Sequence, residues 1–498
     1  MWEKIQRWGI LLFSAVFALV WSVLLFLTAA GFRESKKICG EAAVCLALLL
    51  LCMIFLKRFG RTIWENEHFW QWSSIALLAC MTAGMLYTGL QLRVYPGWDF
   101  GAVYQGAVEL AEDGIFTEQS KWYFTTYPNN VAVCLFLALV FKFFGGLCSY
   151  ITLGVLLNVF LMMAGMCFFF LLARHLYGIR YGFLGLLSCT LFLPFYMHAP
   201  IFYTDTFALP FVTGTFLLYQ LRKKDVRYLA VTGLFLAAGY KMKGSLGVIL
   251  IALLIHIWLQ KGRIGDYVKQ SVLLAVPFLL LTGFLTILPE QMSLWEKEDV
   301  QKNEFPLEHW LAMGLENNGG YSADVYWMTA SVEGREEKIA TDREFIREKL
   351  EEYGGTGLLQ HLQRKAVFTW GDGVYFAPEK LKRDPLQENW LHAWFLYDGG
   401  NYAKTYRYCS AFQLLLLFGI LLSAAGNFFR KGERREIHAM QLVVFGIFVF
   451  LLIWETRSRY LVNFVPIFVL LGIDGLQGVE EQGTRIVNRV RERHHGNN

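Results

Sequence analysis

The chain has 498 residues, of which 55% are hydrophobic, 16% are aromatic and only 17% are charged, and its net charge is +5. A soluble domain carries about a quarter of charged residues, so this composition excludes an ordinary soluble enzyme. We also expect no nucleic-acid partner. The nine cysteines form no C-x-x-C pair and lie mostly in apolar runs, so we expect neither a disulfide framework nor a zinc site.

Thirteen apolar windows follow one another along the chain, and most are close to the ~20 residues that an α-helix needs to cross a bilayer. The first is longer than the core of a signal peptide, about 7–15 residues, so we expect it to remain as a span. The sequence therefore predicts an all-α polytopic membrane protein. The windows are 8–30, 38–56, 73–92, 129–146, 150–173, 182–199, 206–221, 228–240, 244–260, 269–288, 408–428, 438–454 and 459–476.

Basic loops decide which windows cross, because Lys and Arg concentrate in cytoplasmic loops. All of them fall on one side only if one of the two windows at 129–146 and 150–173 does not cross. The first of these begins with two asparagines and contains Lys142, so we expect it to lie in the outer interface. About twelve spans follow, with both termini in the cytoplasm. The basic loops are 57–61, 174–180, 222–227, 261–263, 430–435 and 485–493.

This topology predicts two long extracytoplasmic regions. The second is long enough for a small folded cap, and its charged stretch at 330–354 is expected to form a helix that stops at Gly354 and Gly355. The predicted division of the chain is an N-terminal transmembrane module (1–288) with a catalytic outer loop (93–149), the cap (289–407), the C-terminal transmembrane helices (408–476) and a basic cytoplasmic tail (477–498).

The first outer loop opens with RVYPGWDF, which places Asp99 beside Trp98 directly after an apolar window. A carboxylate in this position can act as a general base. It can equally cap the helix that starts near Phe100, since Asp is a favoured N-cap residue. The local sequence leaves both interpretations open.

Two further stretches add polar groups at the same face. Asp205, in YTDTF, follows one window and opens the next, so it is either a second carboxylate of the cavity or another helix cap. Tyr127 and Asn129, in TTYPNN, either contact a substrate or belong to an aromatic belt, with Pro128 in the first turn of a helix.

Cations at the ends of short helices complete the set. Lys241 and Lys243, in GYKMKGS, could hold a phosphate near a helix N-terminus or extend to the membrane surface. Glu455, Arg457 and Arg459, in ETRSRYL, form a hairpin tip outside the membrane, where positive charge is unusual. Arginine binds phosphate through two parallel hydrogen bonds, whereas the alternative is an internal Glu–Arg ion pair.

The order of these motifs resembles that of the GT-C superfamily of membrane glycosyltransferases, near the protein O-mannosyltransferase family (glycosyltransferase family 39) and the lipid A aminoarabinose transferase. The motifs are GWDF, YPNN, RHLYGIRYG at a cytoplasmic turn, YTDTF, GYKMKGS and ETRSRYL. The chain departs from that pattern at two places. Phe100 follows Asp99 where many relatives have a second carboxylate, and Tyr127-Pro128-Asn129 replaces a His-Pro-Pro string.

The resemblance implies a fold and an activity. It implies inverting transfer of a sugar from a polyprenyl-phosphate carrier to a cell-envelope acceptor, with the active site at the outer face of the plasma membrane. It makes Asp99 the base and Asp205 a second cavity carboxylate. It also implies that Lys243 or Lys241, with Arg457 and Arg459, holds the donor phosphate, and that no metal is required, although a divalent metal is used elsewhere in the superfamily.

A transporter or flippase of lipid-linked sugars would also place cations and aromatic rings beside a cavity. Such a carrier is expected to have related halves and polar residues near the middle of the membrane. Here the charges concentrate at one face, next to a one-sided cap, which favours an enzyme.

Overall fold

The computed structural model describes residues 2–260, 262–429 and 435–495. Within these ranges the chain is built from helices, and its one β-type contact is an isolated antiparallel bridge between Val94 and Pro385. The predicted all-α membrane fold is therefore confirmed. Most of the predicted basic loop at 430–435, Lys261 of the loop at 261–263 and the last three residues of the tail lie outside the described residues.

The chain begins with three long apolar helices and then forms a cluster of shorter helices before it crosses again. In chain order these helices are α1 (Trp2–Gly31), α2 (Ser35–Arg58), α3 (Arg61–Glu65), α4 (Glu67–Gln91), α5 (Trp98–Glu112), α6 (Glu118–Thr126), α7 (Val131–Phe144) and α8 (Tyr150–Tyr177).

The middle of the chain contains short and broken helices, followed by one long helix. They are α9 (Ile179–Leu191), α10 (Leu193–His198), α11 (Thr204–Phe207), α12 (Leu209–Leu221), α13 (Tyr228–Met242), α14 (Gly247–Trp258) and α15 (Ile264–Gln291).

The last part of the chain forms the cap and three long helices. The cap contains α16 (Lys297–Asn303), α17 (Leu307–Leu315), α18 (Ala323–Ala330), α19 (Arg335–Trp370), α20 (Ala377–Leu381) and α21 (His392–Phe395). The long helices are α22 (Tyr402–Phe429), α23 (Arg435–Ile453) and α24 (Val465–His495), the last of which follows a 3₁₀ segment at Ser458–Phe464.

Eight helices in the described part of the chain are long and apolar enough to span a membrane, or nine if the bent pair α6–α7 is one span. The predicted count of twelve is therefore not confirmed. The other predicted spans fall on shorter helices. One covers α9 (13 residues) and α10, and the others are α12 (13 residues), α13 (15 residues) and α14 (12 residues). Each is shorter than the ~20 residues of a full crossing.

The bundle has two different ends. At one end, Lys57 in the last turn of α2 pairs with Glu480 on α24, and Tyr181 in the first turn of α9 donates to the same carboxylate over 2.5 Å. Lys223 after α12 pairs with Glu436 at the start of α23. The basic loops after α2, α8 and α12 therefore share this end, here called the basic end, and the first outer loop and the cap lie at the opposite end, here called the cap end.

Helix α7 lies at the cap end and does not cross the bundle. It bends by 103° from α6 and packs along α5. Its final turn returns to the start of α8, where the rings of Phe141 and Tyr150 stack with centroids 4.8 Å apart. The window predicted to lie in the interface therefore forms a helix beside the bundle.

Small residues let the central helices approach closely. A Cβ atom on Gly419 of α22 would lie 2.8 Å from the Cα atom of Gly472 on α24. In a bilayer, where lipid tails are as apolar as side chains, such backbone contact is a main source of helix association.

The cap differs from the prediction at Gly354. The helix does not stop there but kinks, with Gly354 at φ 54° and ψ −170°, and α19 continues to Trp370. Glycine adopts this backbone conformation without the steric cost that a Cβ atom brings, so the chain can turn and resume the helix.

Candidate active site at the cap end

Asp99 is not the cap of α5. Gly97 occupies the N-cap position, and Asp99 lies in the first turn with a partly exposed carboxylate. The hydroxyl of Tyr123 donates to its Oδ1 atom over 3.2 Å. The carboxylate is thus held by a neighbouring helix and is accessible to a substrate.

A buried hydrogen-bond chain fixes Tyr123. The Nδ2 atom of Asn130 donates to the Tyr123 hydroxyl over 2.7 Å, and Asn129, which is exposed, donates to Oδ1 of Asn130 over 3.1 Å. Asn129 is therefore connected to Asp99 only through Asn130 and Tyr123. Tyr123 and Asn130 are not among the residues predicted from sequence, although Tyr123 lies only four residues before Tyr127.

Tyr127 lies in the same group of rings. Its centroid is 5.2 Å from that of Tyr123, 5.4 Å from Phe305 and 6.1 Å from Trp310 in the cap. Burial, and next the charge of Asp99, hold the pKa of the Tyr127 hydroxyl well above its usual range. Tyr127 therefore remains a neutral hydroxyl beside Asp99.

Asp205 lies between two cations. Lys243 pairs with its Oδ1 atom, and Nη1 of Arg459 donates to Oδ2 over 2.6 Å. Burial opposes charge on this carboxyl, but Arg459 and then Lys243 outweigh burial, so the pKa of Asp205 lies below its usual range. With both oxygens engaged, Asp205 is placed to position the two cations and not to accept a substrate proton.

Lys241 is not brought into this group. Its Nζ atom donates to the hydroxyl of Thr286 on α15 over 2.6 Å. Lys241 is in the last turn of α13, whereas Lys243 follows the helix with an extended backbone (φ −154°, ψ 111°), so the two side chains leave the chain in different directions. Of the two lysines predicted to hold phosphate, only Lys243 joins the carboxylates.

The hairpin tip after α23 is not closed by an internal ion pair. Tyr460 donates to Oε2 of Glu455 over 2.6 Å. In the described ranges, no carboxylate lies within ion-pair distance of Arg457, whose guanidinium lies over the rings of Phe368 and Phe376 at 5.3 and 5.0 Å. Burial raises the pKa of Glu455. Arg457 is therefore available to an anionic ligand.

A glycine of the cap makes room for Arg457. A Cβ atom on Gly320 would lie 2.9 Å from the guanidinium carbon of Arg457. The neighbouring Gly319 accepts from the N–H of Thr456 over 2.7 Å. The cap segment that contains Gly319 and Gly320 thus packs directly against the hairpin tip.

Lys380 on α20 joins the site from the cap and is not among the residues predicted from sequence. Its Nζ atom lies 5.8 Å from the ring of Trp98 and 5.9 Å from that of Tyr203. Burial and the charge of Arg459 lower the pKa of Lys380 to about 7, against the opposing charge of Asp99.

The loop before α20 is fixed by Asp372. Its carboxylate accepts the hydroxyl of Ser458 over 2.5 Å and the backbone N–H groups of Val374 and Phe376 over 3.1 and 2.9 Å. Tyr375 and Phe376 both have left-handed backbones, with φ 53° and 60°. Such conformations persist where surrounding contacts enforce them, so Asp372 joins the cap to the hairpin tip.

These residues form one charged group, here called the cap-end cluster. Its cations outnumber its carboxylates, and one carboxylate is already shared by two cations. In the described ranges, no group of three or more His, Cys, Asp or Glu side chains could hold a metal ion. The members of the cluster are Asp99, Asp205, Glu455, Lys243, Lys380, Arg457 and Arg459.

Among solved structures, the chain is similar to two of an oligosaccharyltransferase from Archaeoglobus fulgidus. One carries a tethered acceptor peptide, with 13% identity, a TM-score of 0.42 and coverage of 86% of this chain and 50% of that one. The other, of the archaeal oligosaccharyltransferase AglB with an inhibitory peptide and a dolichol-phosphate, has 14% identity, a TM-score of 0.42 and coverage of 85% and 52%. The chain thus spans about half the length of these proteins.

No curated protein matches the chain in sequence. A family model described as "conserved hypothetical integral membrane protein" matches residues 4–476, which is nearly the whole chain. The chain therefore belongs to the family of conserved hypothetical integral membrane proteins.

Proposed function

We propose that this protein is a membrane glycosyltransferase of the GT-C type that moves a sugar from a polyprenyl-phosphate-linked donor to a cell-envelope acceptor. The observation that carries the proposal is the pairing of an accessible carboxylate, Asp99, with a surplus of cations at the same end of the bundle. A base for the acceptor and positive charge for a departing phosphate are the two groups that this reaction requires.

In the proposed step, the acceptor hydroxyl attacks the anomeric carbon of the donor sugar. Asp99 accepts the hydroxyl proton, and the bond between the anomeric carbon and the phosphate oxygen breaks. The electron pair of that bond leaves with the polyprenyl phosphate, and attack from the opposite face inverts the anomeric centre. Tyr123 supports the base by donating to Oδ1 of Asp99.

The developing charge on the phosphate is stabilised by protein cations in this proposal. Arg457 has no carboxylate partner in the described part of the chain, and Arg459 and Lys243 are held by Asp205. Fixed cations in a water-poor site stabilise a leaving phosphate without reorganisation during the reaction. We propose on this basis that a divalent metal is not required.

The arrangement of charge supports an extracytoplasmic active site. Basic loops collect at the end of the bundle opposite the cap-end cluster, and such loops lie on the cytoplasmic side of most membrane proteins. We therefore place the cluster and the cap outside the cytoplasm, and both termini inside. The loop at 93–149 then supplies the base, and the cap at 289–407 covers the site.

The proposal is tested with purified protein in nanodiscs, a panel of radiolabelled polyprenyl-phosphate sugars and membrane extract as the source of acceptors. Label that moves to a new product with the wild type, but not with Asp99→Asn, supports the transferase and begins to identify the sugar. Saturable donor binding by both forms without any transfer contradicts it and favours a carrier of lipid-linked sugars.

Arg457→Ala should weaken binding of the donor by about tenfold or more, because a charge-assisted hydrogen bond to phosphate contributes roughly 1.5–3 kcal/mol. Binding is measured with a radiolabelled donor in nanodiscs. Arg364→Ala, on an exposed arginine of α19, is the control and should bind as the wild type does. Unchanged affinity of Arg457→Ala would mean that this arginine only packs on its two aromatic neighbours.

Loss of the positive charge on Lys380 should lower the activity as the pH rises. Because the pKa of Lys380 is lowered to about 7, the free enzyme loses this positive charge as the pH rises through that value. We expect kcat/KM, which reports groups of the free enzyme, to fall roughly tenfold from about pH 6 to about pH 9. Lys380→Arg keeps its charge and should flatten the profile, and a variant profile that still falls would assign the dependence to another group.

A further inference from the structure

A second group of cations lies around the exposed ring of Trp98. Trp98 has a left-handed backbone with φ 56°, and its side chain is 68% exposed. A bulky residue with positive φ is a true outlier, and such outliers collect at ligand sites where the surrounding structure enforces them. This one directly precedes Asp99.

Arg383 covers one face of that ring. Its guanidinium carbon lies over the ring of Trp98, and only 16% of its side chain is exposed. Among the described residues, neither of its terminal nitrogens, both buried, has a hydrogen-bond partner, and the carboxylate of Glu379 reaches only to 3.6 Å. Glu379 forms an ion pair with Arg383 but accepts no hydrogen bond from the two buried nitrogens, so this fork keeps donors for an acceptor that a ligand supplies.

Backbone hydrogen bonds hold the segment that carries Arg383. The N–H of Tyr95 donates to the carbonyl of Asp384 over 2.9 Å, and the N–H of Leu386 donates to the carbonyl of Arg93 over 2.9 Å. These bonds surround the isolated bridge between Val94 and Pro385. The segment that carries Arg383 is thereby tied to the segment that carries Trp98 and Asp99, although almost 300 residues separate them.

Lys380 adds a second cation to the same place. It lies three residues before Arg383 and 5.8 Å from the same ring, and the charge of Asp99 acts on both cations. Two cations and an exposed aromatic ring are the groups that hold an anionic sugar, because a sugar ring stacks on an indole while its carboxylate or phosphate meets the guanidinium.

We propose that Trp98, Lys380 and Arg383 form the acceptor subsite and that the acceptor is a saccharide with a carboxylate or phosphate beside the hydroxyl that receives the donor sugar. This inference rests on the proposed function, since it names the substrate that Asp99 deprotonates. The subsite adjoins the donor cations, since the ring of Tyr203 lies 5.9 Å from Nζ of Lys380 and 5.9 Å from the guanidinium carbon of Arg459.

The subsite is tested by direct binding, which does not depend on transfer. Methyl β-D-glucuronide and methyl β-D-glucoside differ by one carboxylate, and saturation-transfer NMR with the full chain in phosphatidylcholine nanodiscs measures both. We expect the wild type to prefer the glucuronide by about tenfold or more. Arg383→Gln should abolish the preference and retain weak glucoside binding, and Trp98→Ala should weaken binding of both sugars.

Controls separate the subsite from neighbouring effects. Lys382→Gln alters an exposed lysine that pairs with Glu379, and it should keep the full preference. Asp99→Asn should also keep it, because the base is not needed for binding. Arg383→Lys, which retains a charge but lacks the planar fork, should show an intermediate preference.

Three results would overturn the inference. The first is equal binding of the two sugars to the wild type, and the second is a preference that survives in both Arg383→Gln and Lys380→Gln. The third is a preference that disappears when the nanodiscs contain phosphatidylglycerol, since a lipid headgroup would then be the natural occupant. If the preference appears but no donor transfers its sugar, the proposed function fails and the anion site stands.

Discussion

Asp99→Asn should lower the rate of sugar transfer by about 10²- to 10⁴-fold, which is the range that a general base contributes. Asparagine keeps the shape of the side chain and can accept the hydroxyl of Tyr123 through its carbonyl oxygen, so the local structure should persist. It cannot accept a proton from the acceptor. The effect should therefore lie in kcat, and donor affinity should stay within about threefold, because the donor phosphate is held by other residues.

The matched control is Asp113→Asn, at the opposite end of the same helix. Asp113 is the C-cap residue of α5 and is exposed, so its replacement should leave the rate unchanged. Transfer is measured as labelled product in single-turnover experiments, which separate chemistry from product release. A fully active Asp99→Asn would exclude the base assignment and leave Asp99 as a residue that only orders Tyr123.

Asp99 can be predicted from the sequence, but the hydrogen bond that Tyr123 donates to it cannot. The motif RVYPGWDF places a carboxylate at the end of an apolar window, which is visible in one short stretch. The hydrogen bond from Tyr123 depends on how α6 turns against α5, and that angle is set by packing and by the 103° bend before α7. The local sequence pattern predicts the helices but not the angle at which α6 packs against α5.

Distance along the chain hides the cap residues. Lys380 and Arg383 lie almost 300 residues after Trp98, and they are brought to it by the bridge between Val94 and Pro385 and the backbone hydrogen bonds around that bridge. A contact between segments so far apart in the chain leaves no periodic pattern in the sequence. Their local sequence, KLKRD, is typical of a solvated surface stretch.

The local sequence leaves open which of two lysines faces the site. Lys243 or Lys241 is expected to hold phosphate, and α13 ends between them at Met242. The structure places Lys243 at Asp205 and Lys241 beside Thr286. The end of the helix and the packing of α13 against α15 separate the two lysines, and neither feature can be recognised in the string GYKMKGS.

Asp205→Asn should be the most destabilising single change at the cap-end cluster. Asp205, Lys243 and Arg459 have side-chain exposures of 4%, 9% and 11%, so the three charges are removed from water together. Removing one partner from a buried ion pair costs about 3–5 kcal/mol, because the remaining charges are left uncompensated. We expect the apparent Tm in detergent, followed by tryptophan fluorescence, to fall by roughly 5 °C or more.

A second substitution tests whether charge is the cause. The three side chains carry a net charge of −1 + 1 + 1 = +1, which becomes +2 in Asp205→Asn and returns to +1 when Lys243→Met is added. The double variant should therefore regain much of the lost stability. Asp225→Asn breaks an aspartate–arginine pair at the surface and should change Tm little, since such pairs contribute about 0–1 kcal/mol.

The same pair of variants separates positioning from base catalysis. If Asp205 only holds Arg459 and Lys243, the double variant should transfer sugar with a raised donor KM and a kcat close to that of the wild type, because the base Asp99 is intact. If Asp205 accepts a substrate proton, kcat should remain low even after stability returns. A stable double variant with a lost kcat would therefore contradict the positioning role, and one with only a raised KM would leave Asp99 as the single base of the site.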